Sequence, residues 1–255
     1  MSEVTTFSNR VTDRSIIRKK PFLDKEASAN AKRDIDRFLD QKIDEWNRTV
    51  PYAQHFEGKE VHLPYYRQTL IEHAWRIRLM RSAQSNALHK VTRVHAEAAK
   101  LYAAYQDEEM LHDVLFIQDA ERIGVSPEEV YATEPSFATR LLAGFLYFVA
   151  EHEKPLGVIC YSYLVEYTTQ KITPRHVSAL GQSVGKDKIA GQVAHLNTDL
   201  VEDHTQDMWN ILSLLIDNAQ DLAAVKRYLS EIQDILKLFF EDLYRRFGPE
   251  QRQAA

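Results

Sequence analysis

Carboxylate and imidazole side chains lie at helical spacing in several segments of this chain. Glu109 and His112 are three residues apart, so on an α-helix they share one face, one turn apart. A Glu-x-x-His pair that projects into a helix bundle is a recurring way to hold an iron ion. The alternative is a solvated acidic turn with a surface histidine, which a motif of only two residues favours when taken alone.

Two further acids fall in segments that are expected to pack in the core. Glu166 ends an apolar and aromatic run that begins at Gly157, and an ionised carboxylate there is costly unless it is paired or metal-bound. Glu72 belongs to a helix expected to pack beside the Glu109 segment, and bundle metal sites take a carboxylate from each of several helices. For both residues, an exposed position on the helix surface remains the alternative.

The third histidine-containing segment holds His195, Asp199 and His204. His195 and Asp199 share a helix face, but on a regular helix His204 lies nearly opposite, on the apolar stripe with Met208 and Ile211. Either His195 and Asp199 are surface residues, or the helix is unwound or bulged between residues 195 and 203.

Other motifs of enzyme chemistry are missing from the sequence. It has no phosphate-binding glycine loop and no Gly-x-Ser-x-Gly elbow. The remaining histidines are predicted to be structural or to lie on the surface; they are His55, His62, His89, His95, His152 and His176.

The elements that would position these residues are predicted to be helices. Apolar periodicity and cap signals predict helices over residues 28–46 (with Ser28 as N-cap), 65–89, 91–122, a short one from Pro127, 136–151 and 155–173. A short helix within 174–187 and long helices over 188–216 and 222–247 complete the pattern. Only eight glycines and eight prolines in 255 residues argue against an all-β fold. We expect an arm over residues 1–24 and one helical domain over 25–255.

Composition narrows the class of protein. A net charge of −5 gives no basic face for a nucleic acid. The single cysteine, Cys160, allows no internal disulfide, and no apolar run reaches the length of a membrane span. We therefore expect a cytoplasmic protein that binds neither nucleic acid nor membrane.

The order of these motifs resembles that of a known family. A Glu-x-x-His helix, the stretch Ile123-Gly124-Val125-Ser126, the helix from Gly157 to Glu166, and a late His-x-x-x-Asp followed by a histidine are similar to the haem-oxygenase-like di-iron oxidases. Their superfamily includes pyrroloquinoline-quinone synthase, thiaminase-like proteins and the chlamydial death-domain-associating protein. The resemblance covers roughly residues 65–216 and implies an all-α, haem-oxygenase-like bundle of about seven core helices.

The resemblance also implies a ligand set for two Fe(II) ions per chain. One iron would take Glu109, His112 and Glu166, the second would take His195, Asp199 and His204, and Glu72 would bridge them. The chain departs from the family at the last motif, because Glu202 stands where the final histidine is expected. Either Glu202 is the ligand or an irregular turn brings in His204, so the second iron is the more labile one. Manganese, alone or with iron, would suit the same ligands.

The activity that the resemblance implies is oxidation of a small molecule by O₂. The substrate would be amino-acid-like or fatty-acid-like, the reaction C–C cleavage, desaturation or N-oxygenation, and the setting natural-product biosynthesis. An external reductant and a homodimer are expected as partners. Aromatic residues would line the pocket, namely Tyr105, Phe116, Phe145, Tyr161 and Tyr163. The alternatives are a cofactor-free quinone-synthase-like or thiaminase-like enzyme and a helical interaction protein with a partner surface near residues 229–239.

Overall fold

Every regular element that the structure describes is helical. The computed structural model describes residues 21–50, 61–201 and 203–249, without the side chains of residues 198–201. Within these ranges there is no strand, so the predicted all-α class is confirmed. The α-helices are α1 (Lys25–Thr49), α2 (Leu63–Val91), α3 (Ala96–Glu109), α4 (His112–Arg122), α5 (Pro127–Ala132), α6 (Phe137–His152), α7 (Leu156–Lys171), α8 (Thr173–Val184), α9 (Ala190–Val201), α10 (His204–Leu215) and α11 (Ala219–Phe247). Residues 1–20 of the predicted arm lie outside the described residues.

Cap residues explain most of the helix starts. Ser126 accepts a hydrogen bond from Glu129 N, with Pro127 in the first turn, as predicted. Ser136 likewise caps α6. The predicted cap of the first helix is wrong, since Asp24 rather than Ser28 accepts from Ala27 N and starts α1 three residues earlier.

The helix predicted over residues 91–122 is in fact two. His95 caps α3 through a hydrogen bond from Ala98 N, and the chain between residues 91 and 96 forms a turn. A second break at Met110 and Leu111 separates α3 from α4, with Leu111 at φ −118° and ψ 15°. Glu109 therefore ends one helix and His112 begins the next.

The long helix predicted over residues 188–216 is also interrupted, which agrees with the second alternative from the sequence, an irregular helix between residues 195 and 203. A 3₁₀-helix (Lys186–Ile189) leads into α9, and α9 ends at Val201. Asp203 then starts α10, accepting a hydrogen bond from Gln206 N at φ −84° and ψ 64°. The interruption removes the conflict between His195 and His204, because the two residues lie on different helices.

The core lies around α7, which neighbouring helices surround. Twelve of its sixteen residues are buried, and α10, α11, α2 and α6 all contact it. One apolar cluster joins α7 to α1, α3, α6, α10 and α11, and a second joins the first half of α2 to α4, α8 and the end of α11. In the described part of the chain no helix has the length and apolar character needed to cross a bilayer.

Candidate metal centre

The break between α3 and α4 brings Glu109 and His112 into direct contact. His112 Nδ1 lies 2.7 Å from Glu109 Oε2, and the two side chains are only 13% and 17% exposed. The His195 ring, from α9, has its centroid 4.2 Å from that of His112. One ligand atom from each of these three residues lies within 4.8 Å of the others, which is close enough for one ion to bind all three.

A second group of ligand atoms adjoins the first through the same glutamate. Glu109, Glu166 of α7 and His204 of α10 also place ligand atoms within 4.8 Å of one another. His204 Nδ1 lies 3.6 Å from Glu166 Oε2, and both side chains are 4% exposed. His204 Nε2 is 3.4 Å from Glu108 Oε2. Tyr105 donates a hydrogen bond of 2.7 Å to Glu166 Oε1.

The chemistry of this donor set fits a pair of transition-metal ions. Two of the five side chains are carboxylates and three are imidazoles, the ligands that suit iron and manganese. Glu109 Oε1 is buried and has no hydrogen-bond partner among the described residues. Burying a carboxylate oxygen unsatisfied is costly, whereas a bound cation would compensate it.

The structure thus brings together five of the residues named from the sequence, in a different grouping. Glu109 belongs to both groups, His195 pairs with His112, and Glu166 pairs with His204. His204 points into the cluster. The side chain of Asp199 and all of Glu202 lie outside the described residues.

Glu72 has another role, and its assignment as a bridging ligand is corrected. Its carboxylate is fully buried and accepts hydrogen bonds from Ser136 N (3.0 Å), from the Thr139 hydroxyl and from Gln68 Nε2 (3.0 Å). These donors lie at the N-terminus of α6 and one turn back on α2. A buried carboxylate at a helix N-terminus satisfies free backbone N–H groups and complements the helix dipole.

Asp119 positions the helix that carries His195. Its carboxylate accepts hydrogen bonds from Gly191 N (2.7 Å) and Gln192 N (2.9 Å), at the start of α9, and is fully buried. Gly191 is required there because a Cβ atom would lie 2.2 Å from the Leu115 carbonyl oxygen of α4. Close approach of α9 to α4 is what sets His195 against His112.

A cavity of about 260 Å³ opens beside the first ligand group. Glu109 and His195 line it, together with Tyr105, Phe116 and Tyr161, so three of the five aromatic lining residues named from the sequence are confirmed. The other two are placed elsewhere. Phe145 packs on the core, and the Tyr163 hydroxyl donates a hydrogen bond to Asp36 of α1.

Burial and the nearby Glu166 and Glu109 raise the pKa of Tyr105 well above its usual value, so its phenol remains a hydrogen-bond donor.

One face of α2 lines this cavity. From the sequence, only Arg76, Arg78 and Arg81 of this helix segment were considered for substrate binding, as partners of a carboxylate or as a solvated basic face. The cavity-lining face carries Thr69, His73, Arg76, Met80 and Gln84, at spacings of three and four residues. Polar residues at that spacing on a buried helix were the available signal. His176, predicted to be structural or exposed, also lines the cavity.

His73 is neutral and oriented by its neighbours. Burial and then the charge of Arg76 lower its pKa to about 3. Its Nδ1 lies 2.8 Å from the Thr69 carbonyl oxygen, which can only accept, so the ring proton is on Nδ1. The ring stacks on Phe116, with centroids 5.4 Å apart.

Three of the four arginines of α2 lie near the middle of the helix, in different environments. Arg81 pairs with the buried Asp113 at 2.5 Å, and Arg78 lies over the rings of Tyr131 (4.7 Å) and Trp75 (5.6 Å). Arg76 lines the cavity, and its Nε is buried without a hydrogen-bond partner among the described residues.

Comparison of this geometry with known proteins identifies the fold. No family model and no curated protein sequence matches the chain. Among solved structures, a domain of unknown function with a haem-oxygenase-like fold from Shewanella denitrificans OS217 superposes with a TM-score of 0.75 at 16% identity, covering 89% of this chain and 96% of that one.

Two further structures agree. A CADD-like protein of unknown function from Nostoc punctiforme PCC 73102 gives a TM-score of 0.67 at 16% identity, covering 86% of this chain and 98% of that one. A TenA homologue from Pseudomonas syringae pv. tomato DC3000 gives 0.65 at 12% identity, covering 84% and 93%. The chain therefore has the haem-oxygenase-like, all-helical fold that the motif order implied. At these identities the likeness shows the fold alone.

Proposed function

We propose that this chain is a non-haem di-iron oxidoreductase that uses O₂ to oxidise a small molecule. The observation that supports this best is Glu109, a largely buried carboxylate that belongs to two adjoining groups of ligand atoms and has one oxygen without a hydrogen-bond partner among the described residues. The adjoining cavity gives a substrate access to the same place.

The residues divide between two ions that share Glu109. The first would be held by Glu109, His112 and His195, and the second by Glu109, Glu166 and His204. When bound, two Fe(II) ions supply two electrons to O₂. Manganese in one or both positions would suit the same donors.

The residues of the chain orient the candidate ligands, donate hydrogen bonds to them and exclude water from the site. Tyr105 holds one oxygen of Glu166 and leaves the other facing His204. Asp119 orients α9, and so His195, through its backbone hydrogen bonds. Phe116 and Tyr161 line the cavity with aromatic surface, which excludes water from the reacting groups.

An anaerobic Fe(II) titration of metal-stripped protein, followed by mixing with O₂, tests the proposal. We expect uptake of about two irons per chain and a visible absorption change that requires both iron and O₂. The matched control is Glu97→Gln, which removes an exposed carboxylate from the first turn of the same helix, α3, and should change neither result. Absence of stoichiometric uptake in the wild-type chain would rule the proposal out.

A cofactor-free enzyme on the same scaffold is the second candidate, and His73 is the observation that favours it. With its proton on Nδ1, the neutral ring carries a lone pair on Nε2 and lines the cavity, which is the geometry of a general base, and substrate binding would have to raise its pKa from about 3 for efficient proton transfer at neutral pH. This candidate predicts turnover in chelator-treated protein and its loss in His73→Gln.

Cys160 is unsuited to nucleophilic chemistry in either case, because it is fully buried and burial raises the pKa of its thiol.

The interaction-protein alternative fits the structure poorly. It required the acids and histidines to be exposed, but Glu166 and His204 are each 4% exposed. It also required a partner surface near residues 229–239, where Leu229, Ile232 and Phe239 instead pack in the core.

A further inference from the structure

Arg76 is a cationic side chain at the cavity wall for which the described residues offer no counter-ion. It lies on α2, one turn after His73, and is partly buried. Its Nε has no hydrogen-bond partner, and it forms no salt bridge in the described part of the chain. Arg81, one and a half turns further on, shows the contrast, since it is paired with Asp113.

An unpaired guanidinium in such a position lowers stability. Desolvating a charge without a partner is costly, and an anionic ligand in the cavity would supply that partner. The charge of Arg76 is felt by its neighbours, since it lowers the pKa of His73 and offsets part of the rise that burial causes in the pKa of Tyr161. The cavity wall is therefore positive at this point.

The rest of the cavity is mostly apolar. Ile43 and Trp46 of α1, Leu236 and Phe240 of α11, and Leu180 of α8 line it. A volume of about 260 Å³ has room for a molecule of on the order of ten non-hydrogen atoms. The complementary ligand has one anionic end and a short apolar body.

We propose that Arg76 binds the carboxylate of a small amphiphilic substrate, whose apolar body lies against the α1 and α11 side of the cavity. This deepens the proposed function, on which it rests, by naming the class of molecule that would be oxidised. A carboxylate fits better than a phosphate, because Arg76 is the one cavity-lining arginine or lysine without a counter-ion among the described residues, and a single planar guanidinium neutralises and bonds one carboxylate.

Binding to the chelator-treated full-length chain tests the assignment without any metal. The probes are octanoate, octanamide and octyl phosphate, measured by calorimetry and by intrinsic tryptophan fluorescence, to which Trp46 at the cavity wall contributes. We expect octanoate to bind about 10- to 100-fold more tightly than octanamide, and Arg76→Gln to abolish that preference while leaving octanamide binding unchanged. Arg76→Lys keeps the charge without the planar fork and should be intermediate.

Arg78→Gln is the matched control, since it removes the same charge from the same helix at an exposed position outside the cavity. It should bind octanoate as the wild type does. Equal affinity of Arg76→Gln and wild type for octanoate would overturn the assignment, as would wild-type preference for octanamide or octyl phosphate. Circular dichroism checks that each variant is folded. This test contains no iron. A negative result would therefore contradict the role of Arg76 alone, whereas the proposed function is tested separately by the iron titration.

Discussion

Glu109 is the residue on which both ligand groups depend. It ends α3, touches His112 at 2.7 Å, and belongs to the second group through Glu166 and His204. A carboxylate has two oxygens, so it can serve two ions at once, whereas an imidazole nitrogen serves one. Loss of Glu109 and loss of a single histidine should therefore differ in stoichiometry.

We predict that Glu109→Gln abolishes uptake of both irons, whereas His112→Asn and His204→Asn each remove one. The reason is that the amide cannot supply two anionic oxygens, while each histidine belongs to one group only. Anaerobic Fe(II) titration with a colorimetric iron count measures the result. Retention of one tightly bound iron in Glu109→Gln would show that the two sites do not share it.

Two partly buried histidines, His73 and His176, make stability depend on pH. Burial lowers the pKa of His176 to about 4 and, helped by Arg76, that of His73 to about 3 in the folded chain, against 6.5 when unfolded. Below pH 6.5 the unfolded chain binds more protons than the folded one. The free energy of unfolding should thus be constant above pH 6.5 and fall from there to about pH 4, by about 1 kcal/mol per pH unit for each histidine.

Urea unfolding of metal-stripped protein between pH 7.5 and pH 5 measures this slope. His176→Asn should reduce it to about half, whereas His89→Asn, at an exposed position on α2, should leave it unchanged. An unaltered slope in His176→Asn would mean that His176 is not the source.

At the scale of elements, the packing of the start of α9 against α4 determines the position of His195. Asp119 accepts hydrogen bonds from two backbone N–H groups there, and the absence of a side chain at Gly191 lets α9 meet α4. His195 follows Gly191 by about one turn, so a displacement of this helix end by an ångström would move His195 away from His112.

We predict that Gly191→Ala destabilises the chain by about 1–3 kcal/mol and weakens iron binding at the His112 and His195 group. Its Cβ would lie 2.2 Å from the Leu115 carbonyl oxygen, a backbone atom that cannot move aside cheaply. Thermal unfolding and iron titration measure the two effects. The control is Gly144→Ala in α6, where a Cβ meets nothing within 4 Å and alanine should stabilise the helix by about 0.5–1 kcal/mol. Equal stability of the two variants would contradict the role assigned to Gly191.

The sequence predicted the helices better than it predicted their interruptions. Apolar periodicity located α2, α6, α7 and α11, because each keeps one stripe buried over many turns. It gave no sign of the break at Met110 and Leu111, because the apolar and polar pattern continues across it. The irregularity before His204 was one of two alternatives from the sequence, because on a regular helix His195 and His204 could not both face the core.

Individual site residues were predictable only where an acid or histidine stood in an otherwise apolar context. Glu166 satisfied that test, and so did Glu72, but the test cannot distinguish a ligand from a helix cap. Nothing in the sequence distinguishes Arg76 from the other arginines of α2. Its lack of a counter-ion among the described residues is a property of its three-dimensional surroundings.

At the scale of the whole molecule, the candidate centre joins five helices. Its ligands come from α3, α4, α7, α9 and α10. Of these helices, α3, α7 and α10 pack in the first apolar cluster, and α4 and α9 pack in the second. An ion bound there would hold together elements that the chain otherwise connects through loops, so binding energy should contribute directly to the stability of the fold.

We predict that saturating Mn(II), used because it is stable in air, raises the melting temperature of the stripped protein by about 5–10 °C. At 100 times the dissociation constant a ligand stabilises by about 2.7 kcal/mol, and each kcal/mol is worth about 2–4 °C in a chain of this size. Scanning calorimetry with and without metal measures the shift. It should disappear in Glu109→Gln, and a full shift in that variant would place the bound metal elsewhere.

The burial of Cys160 has a practical consequence for following these changes. The only thiol in the chain lies in the second turn of α7 and is fully buried, so reagents cannot reach it while the helices remain packed. Its rate of alkylation thus reports how often the whole bundle opens, with no engineered label. A metal ion bound across the five helices would slow that opening, so the alkylation rate of the native cysteine would report occupancy of the centre.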